Sequence, residues 1–512
     1  MTQKQLEKLD KNCYLKFSMD DNCIQETIEA RKLLCSERFD FYAILVYIDK
    51  KVKGVKNLNY AIKLYQERTK AMTSRKVSEP GNDEKNSFDD FLLVLDNMID
   101  DFQNGRYDVE RTLVPVDKNY VPLDGAHRVS CAAYFNKEIN ILRFTELEYQ
   151  FKGYQYLKQE LLPTQYSDMM ALESLKWHDD LYVFFIWPKA HKTPPDILKN
   201  AEELIRFHTD VLYETEYKLS YTAIRNLMIQ IYGHMDWLGN IDNDFANVLV
   251  KVDEVWANNG KVKLVITHGK SCEHITELKA QIRNMFGIGL SSCHSTDNMR
   301  ETCLALNALL NPHSRHFLER AKPTNYKNSY KLVEYFKKTI KENQLPLNNF
   351  IIDSSMVLSM YGAREAKDLD FYCLPNTDIS VFEKDTNIEE HDDTQRSFYE
   401  YPIEDYINSP ENYFVFNEIK FMSLPNLLKF KQKRFEMCKD SKDAADIALI
   451  QKYSIRMNFI KSLAVRYKYD ILQRKRACYD YVYALIFWRR REILEKIGLY
   501  KPLKTLKTLL GR

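Results

Sequence analysis

At 512 residues, with 45% hydrophobic and 29% charged side chains, the chain can bury several cores and is too apolar for a disordered class. Fourteen glycines exclude a collagen-like or linker-rich chain, and ten cysteines with no C-x-x-C pair point to free thiols rather than a disulfide framework or zinc site. The formal net charge of +2 hides a split: residues 456–512 carry fifteen Lys and Arg against four Asp and Glu, a net +11, which leaves −9 on the rest. The opening MTQKQLEKLDKN is polar, and the apolar run YVYALIFW is too short to span a bilayer. A cytoplasmic chain is expected.

In chain order, LVPVD and NYVPLD read as two short extended runs, and GAHRVSCAAYF as a helix that opens at an Asp-Gly turn. A helix N-terminus presents unpaired N–H groups and partial positive charge, which favour an anion. Gly125 and Ala126 permit close backbone approach, Arg128 can clasp an oxyanion bidentately, and His127 can donate a bond or shuttle a proton. Asp124 suits Mg²⁺ or the role of base toward a hydroxyl. The bland alternative has Asp124 capping the helix and His-Arg lying in solvent.

This strand, turn and helix resemble the signature of the ParB/sulfiredoxin superfamily, over about residues 85–145. The resemblance implies nucleotide-phosphate binding by Asp124, Gly125, Ala126, His127 and Arg128, with Asp124 and His127 catalytic. Ala126 stands where a second His is common, and no upstream catalytic Glu is evident.

Through the middle, LYVFFIWP and VKLVITHG read as buried strands, with YTAIRNLMIQIYG and HITELKAQIRNMFG as helices, an α/β pattern. SSCHSTDNMRETCLALNALLN begins a helix with Ser295, Thr296 or Asp297 as cap. Lys279, Arg283, His294, Asp297 and Glu301 form a candidate site for an anionic substrate, or else capping and surface pairs.

Farther on, YKLVEYFKKTI is a helix with apolar positions 332, 333, 336 and 340, followed by the strand FIID, Ser354, Ser355 and, after twelve residues, DLDF. Strand side chains repeat every second residue, so Asp368 and Asp370 share a face and can hold a triphosphate-bound Mg²⁺. The segment NTDISVFEKDTNIEEHDDTQRS reads as an exposed acidic insertion.

Helix, strand, serine and Asp-x-Asp together resemble the polymerase-β-type nucleotidyltransferase superfamily. That resemblance implies phosphate binding at Ser354 and Ser355, with Arg364 steadying phosphate. It also implies Asp368 and Asp370 as catalytic metal ligands and Glu418 as the third carboxylate. Ser354 occupies the position of an expected glycine. The later Lys442, Asp443 and Asp446 resemble the helical segment that follows in small members.

The tail alternates aromatics with Arg and Lys, and IGLYKPLKTLKTLLGR sets Leu499, Leu503, Leu506 and Leu510 at helical spacing, with Lys501, Lys504 and Lys507 off that face. Such a helix suits an anionic membrane surface, a nucleic acid drawn by the same charge, or packing on the protein's own body. It is similar to the basic ends of bacterial enzymes that build surface polysaccharide.

The expected architecture is α/β with α+β modules and several domains. These are a ParB/sulfiredoxin-like domain at 1–150, a central α/β domain at 151–322, a nucleotidyltransferase-like domain at 323–455 and a basic amphipathic helical tail at 456–512. The expected function is a nucleotide-dependent transferase of bacterial surface-polysaccharide synthesis. It would use ATP or CTP with Mg²⁺ and act on a small polar or sugar acceptor, peripheral at the inner face of the membrane. Two alternatives stay open, a nucleic-acid-associated protein and a non-catalytic nucleotide-binding assembly protein. The −9 body argues against a nucleic-acid partner, because duplex binding needs distributed cations.

Overall fold

The computed structural model describes residues 2–9, 22–78, 85–149 and 153–453, with scattered positions between 471 and 496. The fold is mixed α/β, with three sheets in successive stretches of chain. Contacts group residues up to Ser454 as one compact unit and Ile455–Arg512 as a second. Most of the tail, including Leu499, Leu503, Leu506 and Leu510, lies outside the described residues. No helix among the described residues is long and apolar enough to cross a membrane.

The first sheet has β1 (Cys23–Glu29), β2 (Val114–Val116) and β3 (Glu138–Phe144), with β3 in the middle. β3 pairs antiparallel with β1 and parallel with β2. The helix Phe88–Gln103 starts at Ser87, whose hydroxyl accepts from the Asp90 N–H while Asp90 reaches back, a reciprocal cap that satisfies two orphan donors. Of the two extended runs expected before the Asp-Gly turn, LVPVD forms β2, whereas NYVPLD contributes a single bridge, Val116 to Pro122.

The second sheet runs in the order β5 (Asp210–Lys218), β6 (Lys261–His268), β4 (Leu181–Ile186), β7 (Cys293–Ser295), antiparallel throughout. The expected strands are β4 and β6, and they are paired centrally. The expected helices are Tyr221–Tyr232 and Cys272–Phe286.

The third sheet comprises β8 (Phe350–Ile352), β9 (Leu369–Cys373), β10 (Ile388–Glu390), β11 (Tyr413–Phe416) and β12 (Ile419–Met422), ordered β10-β9-β8-β12-β11. β8 is antiparallel to β9 and parallel to β12, so it is buried on both sides by strands and reads as the unbroken apolar run FII. The acidic segment 376–397 is more than an exposed insertion: Ile388 and Phe382 are buried, and β10 forms the parallel edge of this sheet. One apolar cluster threads the stretches from Ala30 through Leu264 to Ile450. The carboxylate of Asp405 accepts bonds from the backbone of Lys56 and Asn57 at 2.8–3.0 Å, tying distant parts of the sequence together.

Candidate functional site

The C-terminal sheet builds the site. β8 ends at Ile352, and Asp353 follows with its N–H donating to the Asp370 carbonyl at 3.0 Å. The chain then turns through Ser354, whose φ of 55° is left-handed. A non-glycine residue pays about 1–2 kcal/mol for that conformation, so Ser354 holds a backbone more usual for glycine. Ser355 Oγ donates to Asp368 Oδ1 at 3.3 Å, and Ser354 Oγ lies 3.0 Å from His391 Nε2. His391 Nε2 in turn stands 3.7 Å from Asp370 Oδ2. His391 follows the edge strand β10 and is fixed by its N–H bond to the Phe371 carbonyl.

Burial pushes the Asp370 carboxyl up to about 6 against the pull of His391, and the negative charges of Asp368 and Asp353 push the same way. Asp353 is fully buried; Tyr399 donates to its Oδ2 at 2.7 Å, while its Oδ1 has no hydrogen-bond partner among the described residues. The Tyr372 hydroxyl, buried in the same region, is also unpartnered. Carboxylates with an orphaned oxygen are hard donors of the kind that suit Mg²⁺, although the oxygens of Asp353, Asp368 and Asp370 do not all lie within 4.8 Å of one another, so an ion would have to draw them together. Asp353, Asp368 and Asp370 are the residues that would hold such an ion.

Cations stand behind this set. Lys431, almost fully buried, bridges Asp443 and Asp446 at 3.1 Å each, and Arg434 clasps Asp443 at 2.6 and 2.7 Å. The Arg364 fork is taken by Asp446, at 2.7 and 3.0 Å, so Arg364 is held by the last of the C-terminal helices (Leu424–Cys438 and Ser441–Tyr453) rather than standing open to phosphate.

Glu418 does not complete the carboxylate set. In the parallel register Lys420 sits beside Ile351, while Asp370 lies level with Asp353. Glu418 is therefore about four residue steps, roughly 13 Å at 3.3 Å per step, toward the opposite end of the sheet. There it accepts from Arg300 at 2.7 Å and from Lys341 at 2.6 Å, with Lys337 at 3.7 Å. Against burial, which alone would raise it, these cations hold the Glu418 carboxyl down at about 2.

The N-terminal turn is formed as a helix, Ala126–Tyr134, behind Gly125 at φ 79°. A side chain at Gly125 would meet the Arg128 guanidinium at 3.1 Å, so the glycine keeps that fork in place. Arg128 spends its fork on Asp124 Oδ2 (3.2 Å) and the Leu113 carbonyl (3.1 Å). His127 points inward: it is buried between Tyr65 and Phe91, with its Nε2 2.6 Å from the Tyr65 hydroxyl. Burial, reinforced by Lys85, Arg68 and Arg128, holds the imidazole well below its usual range and therefore neutral. The turn thus brings Asp124 and Arg128 together and separates His127 from them.

In the central segment four of the five candidates close into two pairs, and the fifth is taken by a backbone carbonyl. Lys279 meets Asp297 at 2.8 Å, His294 Nε2 meets Glu301 Oε1 at 2.7 Å, and Arg283 donates to the Cys293 carbonyl at 2.9 Å. The helix cap is Asn298, which accepts from the Glu301 N–H, rather than Ser295, Thr296 or Asp297. Among the described residues the set of three whose donor atoms lie within 4.8 Å of one another, unremarked in sequence, is His178, Asp180 and His268. Asp180 is already paired with His268 Nδ1 at 2.9 Å.

Neither family models, curated proteins nor solved structures give a match to this chain.

Proposed function

We propose that the chain is a Mg²⁺-dependent transferase that moves a nucleotidyl group from a nucleoside triphosphate to the hydroxyl of a small polar acceptor at the Asp353, Asp368 and Asp370 cluster. The observation that supports this reading is the fully buried Asp353, whose Oδ1 has no partner among the described residues and whose N–H donates to the Asp370 carbonyl at 3.0 Å. Bound Mg²⁺ supplies charge neutralisation at the transferring phosphorus. Ser355 orients Asp368, and the Ser354–His391 pair orients Asp370. The acceptor oxygen bonds to the α-phosphorus, the bond to the β-phosphate oxygen breaks, pyrophosphate leaves, and the hydroxyl proton passes to the carboxylate cluster. The N-terminal turn takes no step in this scheme, because Arg128 is engaged by Asp124 and Leu113.

The test is pyrophosphate release and triphosphate binding with and without Mg²⁺, in the wild type and in Asp368→Asn and Asp370→Asn. Binding that is Mg²⁺-dependent and lost in both variants supports the assignment. Binding unaffected by the metal and by both substitutions rejects it.

A further inference from the structure

At the other end of β12 the hairpin turn carries two successive left-handed residues, Asn417 at φ 51° and Glu418 at φ 69°. Two-residue hairpins favour this pairing, with asparagine comfortable in it, but the glutamate there is strained. The turn closes a cavity of about 140 Å³ lined by Gln230, His234, Arg300, Tyr330, Lys337 and the turn itself. Three helices meet there: Tyr221–Tyr232, Met299–Leu309 and Lys327–Glu342.

The polar groups are arranged with their donors left over. Gln230 Oε1 accepts from the Asn417 N–H at 2.8 Å, and Asn417 Oδ1 accepts from the Lys337 ammonium. Both amide oxygens are consumed, so both NH₂ groups are the ends without a partner among the described residues, and both nitrogens are buried. Gln230 is 4% exposed. Arg300, Lys337 and Lys341 converge on Glu418 as the one carboxylate they share. Burial lowers the Lys337 ammonium below its usual range despite Glu418. Burial raises the remaining carboxyl of the cavity, Glu334, against the pull of Lys337. A buried N–H without a partner costs about 1–3 kcal/mol, and two such amides beside Arg300 and Lys337 in one cavity call for an acceptor. The space is below the roughly 300 Å³ of drug-sized pockets and admits a single oxyanion group with a few waters.

We propose that this cavity is a binding site for a small oxyanion, the phosphate or carboxylate group of a metabolite, received by the Gln230 and Asn417 amides and by Lys337 and Arg300. It is separate from the carboxylate cluster and does not depend on it.

The experiment is calorimetric titration of the full chain at fixed ionic strength with inorganic phosphate, sulfate and acetate, chloride being the background ion. It is run on the wild type, Asn417→Asp, Arg300→Gln and Asp370→Asn. Asn417→Asp keeps the turn residue's size and its oxygen toward Lys337 but replaces the donor with a carboxylate oxygen. Arg300→Gln alters a half-exposed side chain and leaves the buried amides untouched, which guards against a folding defect in the first variant. Saturable binding of at least one oxyanion, weakened about tenfold or more in both cavity variants and unchanged in Asp370→Asn, is the expected result. Tetrahedral ions binding ahead of acetate assign a phosphate-type ligand, and the reverse order a carboxylate. No saturable binding, or binding equal in the wild type and both cavity variants, overturns the proposal. A loss confined to Asp370→Asn would place the anion at the carboxylate cluster and equally overturns it.

Discussion

Asp370→Asn separates a functional carboxylate from a structural one. The Asp370 carboxyl rises from 3.8 in the free side chain to about 6 in the fold, driven first by burial and then by Asp368 and Asp353. Between those two values the folded chain holds a proton that the unfolded chain has released, so stability falls as pH rises through the interval and stays lower above pH 6. The interval corresponds to about 3 kcal/mol at most, and the side chain is only 20% exposed, so little of it is screened away. The asparagine keeps the shape and removes the charge. Metal-free Asp370→Asn should therefore melt a few degrees above the wild type at pH 7.5 and match it near pH 4. Mg²⁺ reverses the ranking: it relieves carboxylate repulsion in the wild type and should raise its Tm, more at pH 7.5 than at pH 5.5, while leaving the variant nearly unmoved. Melting curves across pH 4–8 with EDTA or millimolar Mg²⁺ read both effects. A variant less stable than the wild type at pH 7.5 without metal, or a Mg²⁺ shift of equal size in both proteins, would refute the electrostatic argument.

Three further outcomes follow from other sites. Gly362 has φ +76° and a Cβ there would approach the Lys322 carbonyl at 2.9 Å, so Gly362→Ala should destabilise by about 2 kcal/mol or more, visible as a lower denaturation midpoint. Tyr65→Phe removes the hydroxyl that meets buried His127 and should cost about 1–3 kcal/mol, measured by the same unfolding curve, with triphosphate binding at the C-terminal cluster unchanged. Truncation after Ser454 removes the +11 tail and should abolish flotation with anionic vesicles while leaving Mg²⁺-triphosphate binding intact. Each basic residue near such a surface contributes about 1 kcal/mol, so the full chain's flotation should weaken steeply with salt.

How much was legible in the sequence divides along a physical line. FIID, Ser355 and DLDF were readable because strand periodicity and a short connection are local properties, and the fold joins Ser355 to Asp368 at 3.3 Å. Glu418 was misread because the end of a sheet at which a carboxylate lies depends on strand direction. β12 runs parallel to β8, which sends its first residues away from Asp370. Asp353 was printed in the same FIID run, yet its place beside Asp370 is a register fact that only β8–β9 pairing reveals. His391 hid in an acidic stretch because β10 has three residues, too few to show a period. At the N-terminal turn the helix was legible. The direction of His127 was set by Tyr65, 62 residues earlier in the chain.

The same strand explains why the two ends of the C-terminal sheet carry opposite chemistry. At the end where β8 stops, the chain gathers acids with an oxygen to spare; at the end where β12 starts, it gathers cations and amide donors around one glutamate. Each arrangement is costly when empty, because like charges and unpaired buried groups are not compensated by packing. A fold keeps such sites when something binds them. On the two readings proposed above, a cation at one end and an oxyanion at the other would lower the free energy of both without moving a strand.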